Sequence, residues 1–170
     1  MHTLAVVLIP HYVVHAALRP IEARDAAAVA RLETLMFRYE QPEDQAWGVD
    51  HSGGFRCDYW GVGGRWNGWG RRVRTLMRKQ GLRPSPRTIP RFLEPNAVWS
   101  EDLGRVRLSA EEFPLAIVTP HGEWEECAVW PGWGKPPARE RKAKAAWLRR
   151  IHRLMRSYPA CLAVGVDYHW

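Results

Sequence analysis

An apolar run at residues 4–9, closed by Pro10, constrains the fold of this chain more than any other feature. The run is continuous and lacks the alternating polar residues of a strand that faces water on one side. It therefore predicts a buried strand in the centre of a sheet. A second apolar run at residues 161–166 predicts another buried strand near the other end of the sequence.

Amphipathic patterns between these runs predict helices and further strands. Pro20 opens a helical pattern, and a longer helical pattern over residues 138–158 ends at Pro159. Residues 55–62 predict a strand, and residues 115–127 predict a hairpin around a Pro-His-Gly turn. The order is strand, helix, strand, strand pair, helix, strand.

This order predicts an α+β fold of the ferredoxin-like βαββαβ type, in which two helices cover one face of the sheet. A chain of 170 residues is expected to form a single domain over residues 1–170. Residues from about 67 to 112 contain a short basic helical pattern followed by four prolines. We therefore expect a basic, Pro-rich, irregular insertion there, within the domain.

The charge balance favours anionic partners. Lys and Arg number 25 against 18 Asp and Glu, which gives a formal net charge of +7. Such an excess attracts nucleotides, nucleic acid or acidic surfaces. A GC-rich genome would also produce a surplus of arginine, so charge alone does not choose a partner.

The cysteines and the first residues indicate a compartment. Cys57, Cys127 and Cys161 show no CxxC spacing and are expected to be buried free thiols. The apolar run at the start of the sequence is too short to span a membrane and lacks the flanks of a signal peptide. We expect a cytoplasmic protein with no membrane association.

Residues 58–70 contain five glycines, three tryptophans, one arginine and one aspartate. Glycine permits close approach to the backbone, tryptophan offers a flat surface, and arginine pairs well with phosphate. Neither a GxGxxG nor a P-loop pattern is completed. The mixture predicts a pocket for a flat, anionic ligand. The alternative is a bulged strand whose tryptophans cover the core and whose Arg65 pairs with Asp58. The candidate ligand-binding residues are Asp58, Trp60, Gly63, Gly64, Arg65, Trp66, Trp124 and His169.

Two separated segments pair a histidine with a carboxylate, His121 with Glu123 and Asp167 with His169. Side chains two residues apart in a strand share a face. If the segments meet, the four side chains form a candidate catalytic set for general acid/base chemistry. Their spacings match no metal motif, so we predict neither a metal nor a cofactor. Polar residues at strand ends are the plainer alternative.

Three stretches carry a resemblance. Residues 57–68 contain Asp-Tyr-Trp-Gly-Val-Gly-Gly-Arg-Trp-Asn-Gly, residues 117–125 contain Thr-Pro-His-Gly-Glu-Trp-Glu, and the sequence at 166–170 is Val-Asp-Tyr-His-Trp. They resemble the D-[WY]-W-x-x-G-G-R-W-x-G core, the T-P-D-G-E-W-H segment and the terminal V-D-x-H-[IL] of small, uncharacterised proteins found in bacteriophages and actinobacterial genomes. Tyr39 and Glu40 match a P-Y-D-E element of those proteins imperfectly.

The chain departs from this pattern at His121 and Glu125, where the pattern has aspartate and histidine. The resemblance implies a phage-type accessory protein that acts in the host cytoplasm. By analogy, it implies an anti-defence protein that binds and sequesters a nucleotide-derived signalling molecule, such as a cyclic nucleotide. Two alternatives stay open: a phosphodiesterase or hydrolase that cleaves cyclic or linked nucleotides, and an accessory factor that binds nucleic acid or protein. A homo-oligomer is also left open.

Overall fold

The computed structural model describes residues 2–14, 21–40, 57, 59–108, 112–127 and 138–169. Within these ranges the chain has a mixed α+β fold with a six-stranded mixed sheet and five α-helices. The strands are β1 (His2–Pro10), β2 (Tyr59–Val62), β3 (Ala97–Trp99), β4 (Ala116–Val118), β5 (Trp124–Glu126) and β6 (Cys161–His169). The helices are α1 (His11–Val14), α2 (Ile21–Met36), α3 (Trp69–Lys79), α4 (Ser100–Leu103) and α5 (Ala138–Ser157). None of the helices in these ranges has the length and apolar character needed to cross a bilayer.

The two apolar runs pair with each other at the centre of the sheet. β1 and β6 are antiparallel along their whole length, from His2 opposite His169 to Pro10 opposite Cys161. β4 runs parallel to β1, and β5 forms a hairpin with β4. β2 and β3 share the outer edge of β6, so the order is β2-β6-β1-β4-β5 with β3 beside β6. The two predicted buried strands are confirmed.

The sheet has a separate core on each face. Because side chains alternate along a strand, Ala5 and Val7 of β1 pack with α2, whereas Leu4 and Val6 pack with α3, α4 and α5. We call these sides the α2 face and the α5 face. The expectation that the two predicted helices share one face is therefore wrong. A continuous apolar strand needs cover on both sides, and α2 and α5 each supply one side.

The segment predicted as an irregular insertion is part of the framework. It contains the basic helix α3, as expected, but also β3 and α4, and its buried Trp69 and Val98 belong to the α5-face core. The indole Nε1 of Trp69 donates a hydrogen bond to the Glu112 carbonyl at 3.0 Å. Among its described residues, the longest stretch without a helix or strand runs from 80 to 93, between α3 and β3.

Candidate functional site

The glycine-rich motif leaves β2 and turns back over residues 165–167 of β6. Gly63 has φ +76° and Gly64 has φ +44°, conformations that residues with a side chain adopt at a cost. A Cβ on Gly63 would lie 2.7 Å from Nδ2 of Asn96, and one on Gly64 would lie 2.6 Å from Cβ of Asp167. Both glycines are therefore required by the turn itself, and we assign them no direct contact with a ligand.

Asp167 fastens this turn to the sheet. Its side chain is only 5% exposed, and Oδ2 accepts a hydrogen bond from the backbone N–H of Arg65 at 2.8 Å. Nδ1 of His2 lies 3.2 Å from Oδ1 and 3.1 Å from Oδ2 of the same carboxylate. A buried carboxylate requires such partners. Asp167 thus joins the first residue of β1 to the turn that carries Arg65.

Three rings gather beside this carboxylate. Tyr59 and His169 are opposite each other in the β2–β6 pair, and their rings stack with centroids 5.2 Å apart at 17°. His2 is opposite His169 in the β1–β6 pair, with ring centroids 5.2 Å apart. Tyr59 is 45% exposed and the His2 side chain 36% exposed, so a ligand can reach them from solvent. We call His2, Tyr59, Arg65, Asp167 and His169 the polar sheet end.

The Arg65 side chain projects from this site into solvent. Within the described ranges its guanidinium has no hydrogen-bond or ion-pair partner. The neighbouring arginines of α3 differ, because Arg72 donates to the Asn67 carbonyl at 2.9 Å and Arg74 pairs with Glu94. The predicted alternative partner of Arg65, Asp58, lies outside the described residues. Arg65 is therefore available to an anion as far as the structure describes it.

The sheet separates the tryptophans of the predicted ligand set. Val166 and Tyr168 of β6 point into the α2-face core, so Asp167 and His169 point to the α5 face. Trp66 packs against the α5-face core, whereas Trp60 and Trp124 pack against the α2-face core. The seven described residues of the predicted ligand set therefore do not line one pocket, and the eighth, Asp58, lies outside the described residues. Arg65 and His169 share a site from which Trp60 and Trp124 are separated by the sheet.

Trp60 lines a cleft of about 810 Å³ beside α2. Its lining within the described residues includes Glu33, Phe37 and Glu40. The indole Nε1 of Trp60 donates to Oε2 of Glu40 at 3.1 Å. Two carboxylates make this cleft unfavourable for an anion, because like charges repel in a partly buried site. The described lining of the cleft therefore disfavours the anionic ligand predicted from the motif.

His121 and Glu123 lie at the opposite end of the sheet from Asp167 and His169. Their turn follows β4, which runs parallel to β1 and therefore ends near the C-terminal end of β1. Asp167 and His169 pair with the N-terminal end of β1. His121 is exposed, and the centroid of its ring lies 5.9 Å from the centroid of the Tyr158 ring. The four-residue acid/base set is not assembled, although Asp167 and His169 do share a face as predicted.

His2 and Tyr59 are the site residues that the sequence analysis missed. Each stands next to a feature that was recognised, His2 before the apolar run and Tyr59 inside the glycine-rich motif. Only the pairing of β6 with both β1 and β2 brings them together. The available signal was His2, a polar residue at the start of a central strand. Identifying its neighbours in space requires the order of the strands in the sheet.

No group of three histidine, cysteine or carboxylate side chains in the described part of the chain is placed to hold a metal ion. Comparisons of the chain with protein-family models, with curated proteins and with solved structures find no match.

Proposed function

We propose that this chain binds an anionic ligand with a flat ring, of the nucleotide-derived class, at the polar sheet end. The observation that carries the proposal is the turn anchored by Asp167, which fixes the backbone of Arg65, a residue with an exposed side chain, on the carboxylate that His2 also contacts. Capture of a nucleotide-derived signal by a phage-type accessory protein, as the motif resemblance implies, is part of the same proposal.

Each exposed group of the site has a distinct task in this proposal. Arg65 grips a phosphate, because a guanidinium donates two parallel hydrogen bonds to one anion. Tyr59 stacks on the base, since its ring is held flat against His169 on one side. His2 and His169 donate to phosphate or ribose oxygens. Trp66, at the end of the same turn, packs against the α5-face core and so supports the turn.

The direct test is capture followed by release. The protein is incubated with a mixed panel of cyclic di- and trinucleotides and ADP-ribose derivatives, and the free fraction is analysed by chromatography before and after heat denaturation. We expect one anionic member of the panel to leave the free fraction when the protein is folded. A panel that stays wholly in the free fraction contradicts the proposal.

Arg65→Ala locates the binding to this site. Loss of a charged hydrogen-bond donor to phosphate is expected to weaken affinity by about 10- to 100-fold. Stability should stay unchanged, because the side chain is exposed and has no hydrogen-bond or ion-pair partner among the described residues. The measurement is a titration with the captured ligand, alongside thermal denaturation.

The matched control for that titration is Arg78→Ala, which removes an exposed arginine from α3. Arg78→Ala should bind like the unsubstituted chain. Equal weakening in both variants would mean that affinity depends on general charge and would contradict a specific role for Arg65.

Binding of nucleic acid is the second candidate function. The observation that favours it is a groove of about 220 Å³ on α5, lined by Arg149, His152, Arg153 and Arg156. Arginines at this spacing follow one face of the helix and can contact successive phosphates. This candidate predicts polymer binding with a steep dependence on salt concentration and little preference among small ligands.

A further inference from the structure

We propose that the polar sheet end cleaves its ligand, with His2 as general base and His169 as general acid on a ribonucleotide phosphodiester that carries a free 2′-hydroxyl. This inference rests on the proposed function, because the phosphate must first bind at Arg65. The inference extends the proposed function from capture of the ligand to its cleavage. It also replaces the predicted acid/base set of four residues, two of which lie at the other end of the sheet.

The buried carboxylate determines the protonation pattern of His2. An ionised carboxylate only accepts hydrogen bonds, so the Nδ1 that faces Asp167 at 3.1 Å carries the hydrogen. Nε2 of the neutral ring then carries the electron pair that a general base requires, and the Tyr59 hydroxyl lies 3.5 Å from this nitrogen. Asp167 also stabilises the imidazolium that forms when Nε2 takes up a proton. Asp167 is therefore a positioning residue.

The second imidazole is held within reach of the first. The rings of His2 and His169 are 5.2 Å apart, and stacking on Tyr59 fixes the plane of His169. Imidazole gives and takes protons near neutral pH more readily than other side chains. A neutral His2 and a protonated His169 at the same phosphate supply the two proton transfers that a displacement at phosphorus requires.

The attacking oxygen in this reaction belongs to the substrate. None of the five residues of the polar sheet end is a serine, threonine or cysteine, whereas a ribose 2′-hydroxyl stands next to the phosphorus that it attacks. An internal nucleophile needs only the removal of its proton, since the ligand itself holds it in place.

The proposed step balances without a further reactant. Nε2 of His2 removes the proton of the 2′-hydroxyl, the 2′-oxygen forms a bond to phosphorus, and the bond from phosphorus to the 5′-oxygen breaks. The 5′-oxygen receives a proton from His169. The products are a 2′,3′-cyclic phosphate and a 5′-hydroxyl, and proton exchange with water restores both histidines. Arg65 stabilises the charge that develops on the phosphoryl oxygens.

The test uses cyclic di-adenylate with 3′,5′ linkages, linear diadenylate, and their 2′-deoxy counterparts, with product analysis by chromatography and phosphorus NMR. We expect the ribose compounds to yield 2′,3′-cyclic phosphate with multiple turnovers and the deoxy compounds to stay intact. The dependence of kcat/KM on pH should be bell-shaped, because one histidine must be neutral and the other protonated.

The variants His2→Asn and His169→Ala separate chemistry from folding. The side-chain amide of Asn can still donate to Asp167 from the position of Nδ1 but has no group at Nε2. Both variants should lower turnover at least about 100-fold and each should remove one limb of the pH profile. His121→Ala, at the far end of the sheet, is the matched control and should retain full turnover.

The outcomes distinguish the two proposals. A ribose compound that is bound and returned intact overturns cleavage and leaves binding in place. Compounds that are neither bound nor cleaved overturn both. Equal cleavage of ribose and deoxy compounds overturns attack by the 2′-hydroxyl. Full turnover in His2→Asn overturns the assignment of His2 as the base.

Discussion

Individual glycines in the motif differ in what they do. Gly64 stands against Asp167 with φ +44°, whereas a Cβ on Gly61, in β2, would have no atom within 4 Å. The same residue type is thus required at one position and replaceable at the other. The sequence shows that the motif is rich in glycine but not which glycines are required. That depends on which atoms lie across the turn from each one.

Gly64→Ala is predicted to lower the free energy of unfolding by about 1–3 kcal/mol, because it strains the backbone and displaces the Asp167 carboxylate. It should also weaken ligand binding, since Asp167 positions Arg65 and His2. Gly61→Ala is the control and should stay within about 0.5 kcal/mol of the unsubstituted chain. Urea denaturation measures both. Equal stability of the two variants would contradict this account of the turn.

Secondary-structure elements were predicted better than their arrangement. The patterns for β1, β6, α2, α3 and α5 and for the β4–β5 hairpin are all confirmed. The face that each helix covers was not predictable, because an apolar stripe indicates that a helix is buried but not against which side. β3 was not predicted, because it has only three residues, between a proline-rich stretch and α4. So short a strand shows no alternation of apolar and polar residues.

The site was predictable only where its residues lie within one element. Asp167 and His169 share a face of β6 because they are two residues apart. His121 and Glu123 were placed with them on residue type alone. The parallel pairing of β4 with β1 puts that turn at the other end of the sheet, and strand direction cannot be deduced from side-chain chemistry.

The contact of α3 with β3 is predicted to be intolerant of added volume. A Cβ on Gly70 would lie 2.8 Å from the carbonyl carbon of Ala97, where the two backbones meet. We expect Gly70→Ala to cost about 1–3 kcal/mol, despite the higher helix propensity of alanine. Thr75→Ala, at an exposed position of α3, is the control and should be nearly neutral. Thermal denaturation measures both, and a stabilised Gly70→Ala would contradict the close packing.

Two surface depressions in the described part of the chain differ in charge. The cleft beside α2 carries the carboxylates of Glu33 and Glu40, and the α5 face carries the polar sheet end and the exposed arginines of α5. The net charge of +7 is therefore an average over unlike surfaces. Anionic ligands are expected on the α5 face, and the position of the polar sheet end agrees with that expectation.

The three thiols report on opening of the whole fold. Cys57, Cys127 and Cys161 are buried, and burial raises the pKa of the Cys161 thiol to about 11. Because the thiolate is the reactive form, Ellman's reagent at mildly alkaline pH should label the folded chain slowly. All three thiols should react at once in denaturant. Rapid labelling of three thiols in the folded protein would contradict the two buried cores.

NMR titration with the captured nucleotide shows on which side of the sheet the anionic ligand binds. We expect shifts in the imidazole resonances of His2 and His169 and in the guanidinium resonance of Arg65. The indole resonances of Trp60 and Trp124, across the sheet, should stay in place. Shifts confined to the two indoles, with the histidines and Arg65 unmoved, would place the ligand on the α2 face and contradict the account.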